Sequence, residues 1–469
     1  MNKWSLMFNS IIENANLREM ALEGKKFTWA NNKQSVTLEK LDRILFNDKW
    51  EIKFPLACGR VLERIYSDHT PLLINVEGEK WQSPLFKFEN SWLMREDINT
   101  VVEQVWKSCN INGSSIDKWQ WRLQKMREKL KGWNMNWEGM YKRKKQEIMG
   151  KIEDIDKKCE AYGMTILERK ERGDLEEELK KVVREDRLKW MLRCKEKNLL
   201  EGDDNTKYYH AKANGRKRKN MIYSLDQEEG EIKGQSDLMK YITNFYKQLF
   251  GPPLENDFTL NLEGIAMLSE AEKERLIRPI EMEELKKIVF GMENNKAPGP
   301  DGFPVEFYKH FWYLIKDDLM ELIIDFMKRK IGVERLNYGV ITLIPKCKEA
   351  RMIQKFRPIC LLNVSFKIIT KILMERLAEV IEVLIALNQT AFIKNRYIME
   401  GVVTMHEILN SIHQKKQAGI LFKIDFEKAY DNIKWSFVYK MMKAKGFPDI
   451  WCDWILKVVK GGESGHQSE

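Results

Sequence analysis

The sequence predicts an α+β chain of several domains, and three observations lead there. Short β-prone runs alternate with turns in the first 80 residues, at Phe27–Ala30, Leu38–Phe46 and Leu72–Val76, the pattern of a layered α/β piece. From Trp81 to about Phe250 the composition shifts to Lys, Arg, Glu, Met and Trp in long polar runs, whose spacing fits helices. Gly251-Pro-Pro253 then breaks the chain, and beyond it amphipathic helices are interleaved with β-prone runs such as Val340–Ile344 and Ile420–Ile424. The segments 1–80, 81–250 and 251–469 are therefore read as separate domains.

With 469 residues, 43% of them hydrophobic and 11% aromatic, the chain can bury several cores and is no disordered tail. Lys and Arg number 80 against 70 acidic residues, a balance of +10 that favours a polyanionic partner, although a basic, solvated surface gives the same count. The seven cysteines are odd in number and include no CxxC pair, which argues against both a disulfide framework and a zinc ribbon and for a reducing compartment. No uncharged apolar run approaches the roughly 18 to 20 residues of a membrane span. The expectation is an intracellular chain, nuclear or cytoplasmic, with no membrane partner.

In the first segment Asp42 falls inside an apolar run read as a strand, and Asp68-His69 precedes Pro71 and the run Leu72–Val76. A carboxylate that can orient an imidazole, with a second carboxylate beside it, is general acid/base equipment. A lone Asp-His pair is equally a turn with a satisfied ring. In the middle segment, apolar residues at 175, 179, 182 and 183 form a helical stripe and predict an internal pairing of helices. Cations concentrate at Tyr141–Lys145 and Lys212–Lys219, the latter holding Arg216, Lys217, Arg218 and Lys219. Beside Tyr141, Tyr208 and Tyr209 they combine phosphate attraction with base stacking, so RNA contact is expected there.

In the third segment Asn295–Gly302 is too rich in Pro and Gly for helix or strand. It is either a plain connection or a loop whose N–H groups meet phosphates. Pro304 opens a helix with Phe307, Phe311, Ile315, Leu319, Leu322 and Phe326 on one face, and Ser365 to about Leu387 reads as a second. Val340–Ile344 and Phe356–Ile359 are placed to form a hairpin that turns Lys346 and Arg357 toward one pocket. An Arg fork and a Lys point charge suit a triphosphate; taken singly, each is a surface residue. Finally, Ile420–Ile424 reads as a strand ending at Asp425. A divalent cation such as Mg²⁺ is one partner for a strand-end carboxylate; capping a helix near Ile433 is the other role, though Asp431 suits it better.

Phe422-Lys-Ile-Asp-Phe-Glu-Lys-Ala-Tyr-Asp431 resembles the first palm motif of reverse transcriptases, in the form used by LINE-type (non-LTR) retrotransposons, especially those of plants. The resemblance implies that Asp425 binds catalytic metal, that Tyr430 packs under the incoming sugar, and that the Phe426 and Ala429 backbone lies near the triphosphate. Ile344-Pro-Lys346 and Phe356-Arg-Pro-Ile359 are similar to the family's fingers, which implies that Lys346 and Arg357 approach the nucleotide. Phe27-Thr-Trp, Leu41-Asp-Arg-Ile-Leu and Ser67-Asp-His resemble the C-terminal third of the endonuclease/exonuclease/phosphatase fold. There the position of Asp42 orients that of His69, and that of Asp68 acts on the nucleophilic water.

The fold so implied is a partial α/β sandwich of endonuclease type, a basic helical connector, then fingers and incomplete palm of a right-hand polymerase. The function implied is RNA-directed DNA synthesis, with an RNA template, a DNA primer or target, deoxynucleoside triphosphates and Mg²⁺. Two departures count against activity. The family's aromatic-x-Asp-Asp turn does not occur after Asp431, and neither the nuclease's metal-binding Glu nor its Gly-Asp-Phe-Asn turn is present before Phe27. The expectation is a dead nuclease segment and a truncated polymerase inactive alone. The alternatives are a non-catalytic nucleic-acid-binding remnant and a nuclease.

Overall fold

The computed structural model describes residues 3–15, 17–20, 22–23, 27–31, 37–54, 57–62, 64, 67–76, 86–108, 111–162, 165–194, 209, 212–213, 215–216, 220, 222–251, 264–347, 350–426 and 433–460. Two compact units emerge, residues 1–85 with 138–222 and residues 86–137 with 223–469. Residues 86–137, read from sequence as the start of the connector, thus pack in the second unit.

The first unit begins with helix α1 (Lys3–Asn14) and short strands β1 (Arg18–Glu19), β2 (Leu22–Glu23), β3 (Trp29–Ala30), β4 (Leu38–Glu39) and β5 (Leu45–Phe46). After helix α2 (Asp48–Lys53) come β6 (Cys58–Val61) and β7 (Leu72–Asn75). β1 pairs with β5 and β3 with β4, while β2, β6 and β7 make a three-stranded sheet in that order. The core is small: Met20, Phe46 and Ala57, with Ile44, Trp50 and Phe54 against them. Leu73, Ile74 and Val76 are exposed, so β7 is apolar on faces that nothing described covers. The strand expected over Leu38–Phe46 is two short pieces with Asp42 in irregular chain between them, because β4 and β5 turn to different partners.

The rest of this unit comes from residues 138–162 of the long helix α4 (Ser115–Tyr162) and from α5 (Ile166–Cys194). Tyr141, Lys145, Ile148, Ile152, Ile155 and Cys159 form a sheltered stripe, spaced alternately four and three. Arg172, Leu175, Leu179 and Val182 answer on α5. This is heptad packing, and the expected helix pairing forms. Its antiparallel register is marked by Arg172 on Asp156 at 2.6 Å and Lys144 on Glu178 at 2.8 Å. Thr165 and Glu168 cap α5 reciprocally, Glu168 accepting from the Thr165 N–H at 3.0 Å while its own N–H donates to Thr165 Oγ1.

The second unit has a large core built on Phe307, Phe311, Ile315, Leu319, Leu322 and Phe326, all fully buried at spacings of four and three. At about 1.5 to 3 kcal/mol per buried side chain, this one face does more than any local propensity to hold the helix. The single helix expected there is two, α9 (Val305–His310) and α10 (Trp312–Met327), sharing Phe311 as their junction at φ −94° and ψ 21°. Around them pack α3 (Ile98–Lys107), the first turns of α4, α7 (Glu270–Ile277), α8 (Met282–Gly291), α11 (Val364–Ala378), α14 (Trp435–Ala444) and α15 (Asp449–Lys460). One polar group inside is doubly paired: Asp318 accepts from Trp106 Nε1 and from Arg122, each at 2.8 Å. Strand β8 (Ser224–Gln227) meets β9 (Gly230–Lys233), and α6 (Gln235–Leu249) follows. This hairpin interrupts a stretch read as helical throughout. Gly230, at φ 128°, closes its tight turn, and Leu225 is fully buried.

Strand β10 (Gly339–Pro345) pairs antiparallel with β11 (Phe356–Leu362), in the register Ile344↔Arg357, and forms the expected hairpin. The helix expected from Ser365 to Leu387 is α11 followed by the short α12 (Ile381–Leu384), and α13 (Ile398–Gln414) comes before the run at 420.

Candidate functional site

Arg357 lies opposite Ile344, and Lys346 is two residues beyond Ile344, so side-chain alternation puts both cations on one face of the β10–β11 ribbon. Both are exposed. Lys346 spends one donor on the Gln354 carbonyl at 2.8 Å, which leaves two, while Arg357 makes no hydrogen bond or ion pair among the described residues. A bare two-stranded ribbon is marginal in water. Here the loop that joins its strands is tied to β8, where the Asp226 N–H donates to the Arg351 carbonyl at 2.8 Å.

Asp425 is exposed and without a described partner, and Phe426 beside it is 75% exposed. The strand expected over Ile420–Ile424 does not form; Ile420, Leu421, Phe422 and Ile424 stand in solvent in irregular chain. The physical reason is the want of a neighbour. β-propensity counts only when a second strand takes the backbone N–H and C=O groups and a layer covers the side chains, and no described strand does so. Helix α13 is in the same condition and buries none of its side chains. Among the described residues no three His, Cys, Asp or Glu side chains are grouped to hold a metal, so the residues in view do not make a Mg²⁺ site around Asp425. Ala429 and Tyr430 lie outside the described residues, as does Asp431.

The Asn295–Gly302 loop offers fewer N–H groups than its composition suggests. The Asp301 N–H is taken by Asn363 Oδ1, that of Gly302 by the Gly299 carbonyl and that of Asn295 by Glu306. Here the structure favours the plain connection over phosphate binding.

In the first unit Asp42, Asp68 and His69 do come together. His69 Nδ1 stands 3.0 and 3.2 Å from the two Asp42 oxygens. Trp29 Nε1 donates to Asp68 Oδ2 at 2.9 Å. Thr28, missed in the sequence reading, organises this cluster: its Oγ1 accepts the Asp42 N–H at 2.9 Å and its carbonyl accepts the Thr70 N–H at 2.7 Å. The only signal was its place in Phe-Thr-Trp. The hydrogen bond to Asp42 raises His69 above its ordinary 6.5, and the same bond is the largest influence holding Asp42 below 3.8. The Trp29 bond lowers Asp68.

The pair therefore stabilises the fold between the depressed Asp42 value and the raised His69 value. The histidine's share is complete below 6.5 and is lost as pH rises through its folded value; the aspartate's share is complete above 3.8 and is lost as pH falls through its folded value. Asp42→Ala is expected to return the His69 ring titration toward 6.5, followed by proton NMR of the ring. An unmoved midpoint would remove Asp42 as the cause.

In the connector Arg216 is exposed, and Lys217, Arg218 and Lys219 lie outside the described residues, as does Tyr208. Tyr209 is 2% exposed and cannot offer its ring to a base, which corrects the stacking role expected of it. No helix among the described residues is long and apolar enough to cross a membrane.

Residues 344–469, from the end of β10 onward, match the family described as Reverse transcriptase (RNA-dependent DNA polymerase). Along 446 residues the chain is 24% identical to the Transposon TX1 uncharacterized 149 kDa protein of Xenopus laevis. Residues 344–469 are thus similar to reverse transcriptases, and the chain to proteins of transposable elements. The frog alignment takes in 92% of this chain and 33% of the relative. Over 193 residues the chain is also 24% identical to the Retrovirus-related Pol polyprotein from type-1 retrotransposable element R1 of Bradysia coprophila, covering 40% of this chain and 19% of that one. The chain thus spans about a third and about a fifth of the length of these two relatives. The matched stretch includes Lys346, Arg357 and Asp425.

Proposed function

We propose that the chain belongs to the machinery of RNA-directed DNA synthesis, with fingers and part of a palm in residues 251–469. An RNA template and a DNA primer or target are its macromolecular partners, and deoxynucleoside triphosphates its substrates. The observation that carries this reading is the β10–β11 ribbon, which enters the matched stretch at Ile344 and turns Lys346 and Arg357 to one face with donors left to grip a triphosphate. Asp425, Phe426, Ala429 and Tyr430 follow by resemblance as the nucleotide side of the palm. A primer 3′-oxygen attacking the α-phosphate needs divalent cations to steady the entering and leaving oxygens. Their ligands would have to come from more than Asp425. The uncovered apolar faces of Ile420–Ile424 and α13 support a palm completed by further polypeptide.

Residues 1–80 are, in this reading, a piece of an endonuclease/exonuclease/phosphatase domain of the kind that plant LINE-type elements carry. The Asp42–His69 pair is in place, but no described cluster can hold a metal, so acid/base groups stand without the charge that stabilises a pentavalent phosphate. The middle segment acts as a basic connector, and an intracellular setting, nuclear or cytoplasmic, goes with such work. The isolation of Asp425 favours one second reading, a nucleic-acid-binding protein without catalysis.

Binding is the test common to both readings. Affinity for single-stranded RNA is expected to fall steeply with salt, with a slope in log–log form of about −0.7 for each phosphate neutralised. Charge reversal of Arg216, Lys217, Arg218 and Lys219 should flatten that slope. A flat response in the parent chain would remove the polyanion from both readings.

A further inference from the structure

Two like charges face each other across the β8–β9 hairpin, Asp226 on one strand and Glu231 directly opposite on the other. Such a pair destabilises a hairpin, so local folding does not account for it. Glu228 and Glu229 fill the exposed turn between them, and the one cation from Ser224 to Lys233 is Lys233, which pairs with Glu231 at 2.7 Å. Among the described residues no three carboxylates are grouped to hold a metal.

What lies against this hairpin is the loop that joins β10 to β11. The Asp226 N–H leaves its own ladder and donates to the Arg351 carbonyl at 2.8 Å. Glu231, held below its ordinary 4.5 first by Lys233, also feels the Arg351 charge. Both sides of the contact are anchored, since Leu225 next to Asp226 is fully buried and Ile353, two residues past Arg351, is 1% exposed. From Lys346 to Arg357 the chain carries Lys346, Lys348, Arg351, Lys355 and Arg357 against a single acid, Glu349. An acidic turn is thus fastened to a basic one.

We propose that the β8–β9 hairpin is an electrostatic guard, whose carboxylates stand in for phosphates at the basic loop of the β10–β11 ribbon and keep single-stranded RNA off Arg351 and Lys355. Fixed negative charge repels a polyanion at short range, and like charge set against an unwanted contact is a common source of specificity. The guard confines RNA to the basic surface that remains. It goes beyond the polymerase reading and shares with it only RNA as a partner.

The salt dependence of binding of single-stranded RNA to the full chain tests it. Asp226→Asn with Glu228→Gln and Glu229→Gln should raise affinity about tenfold at about 50 mM salt and steepen the log–log slope by about 1.4, the increment for two phosphates newly met by Arg351 and Lys355. Adding Arg351→Ala and Lys355→Ala should erase both changes; the Arg351 carbonyl that holds the hairpin is untouched. Glu274→Gln, Glu283→Gln and Asp317→Asn remove the same charge from exposed positions elsewhere in the second unit and should leave the slope alone.

A neutral hairpin that changes nothing, an equal gain from the distant triple, or a gain that survives loss of Arg351 and Lys355 overturns the proposal. Should the neutral hairpin fail to fold, the parent decides. There Arg351→Ala with Lys355→Ala should shift affinity by less than about twofold, because guarded cations contribute no phosphate contact, and a larger loss refutes the guard. A flat salt response in the parent strikes the functional reading instead, and the guard then stands or falls on whether the neutral hairpin brings binding in.

Discussion

A polypeptide of these 469 residues should extend no primer on an RNA template, whereas the same chain joined after Lys460 to a palm segment bearing an aromatic-x-Asp-Asp turn should extend it. In the joined protein Asp425→Ala should abolish the gain. The argument is electrostatic. Two doubly charged ions some 4 Å apart repel by about 4 kcal/mol even in bulk water, and far more where water is excluded, so several anionic ligands are needed to keep them together. Asp425 supplies one, stands exposed, and belongs to no described cluster of potential ligands. RNA binding, which draws on spread Lys and Arg contacts, should be unaffected by Asp425→Ala, and this separates loss of chemistry from loss of fold. Extension by the unjoined chain would show that the described carboxylates suffice. Extension by the joined protein that survives Asp425→Ala would remove Asp425 from the site.

The elements that could be read from sequence are those whose structure is decided within a few dozen residues. The β10–β11 ribbon follows from two β-prone runs with Pro345 and Pro358 in them, and its register alone brings Lys346 and Arg357 to one face. The α4–α5 pair follows from its stripe, because heptad spacing specifies a partner of like spacing nearby. Ile420–Ile424 is the opposite case: the residues favour a strand, but a strand is a property of two segments, and the second is not among the described residues. Contacts across the chain were equally hidden. Thr28 organises Asp42 and Thr70 through its hydroxyl and carbonyl, and nothing in Phe-Thr-Trp announces that. Nor does Asn295–Gly302 reveal that Phe86 to Phe88 would close over Gly302, or that Asn363, the Gly299 carbonyl and Glu306 would take N–H groups of the loop from a phosphate.

The largest effect on stability is expected at Arg376, a residue of α11 with a side chain wholly inside the second unit. Its guanidinium holds Glu284 of α8 through two bonds of 2.9 Å. Its remaining donors serve the carbonyls of Leu276, Arg278 and Pro279 at 3.3, 2.6 and 3.3 Å, where α7 ends. One side chain thus satisfies acceptors from two other helices and the link between them. Arg376→Ala leaves a half-buried carboxylate facing only Arg278, at 3.6 Å, and strips three carbonyls of this donor, a change that costs about 3–5 kcal/mol where a buried pair is broken from one side.

With a slope of about 1–3 kcal/mol per molar urea, the midpoint followed by fluorescence of the buried Trp106, Trp119, Trp451 and Trp454 should fall by more than about 1 M. The double change Arg376→Met with Glu284→Leu should recover part of the loss, since it removes the stranded charge. It should not recover all of it, because the three carbonyls still lack this donor. Arg376→Lys should fall between the single and the parent, as one ammonium can replace the charge and some of the bonds but not the planar fork. A loss under about 1 kcal/mol for Arg376→Ala would mean that water reaches Glu284 and the α7 carbonyls once the side chain is gone, and that the three helices are held by their apolar faces alone.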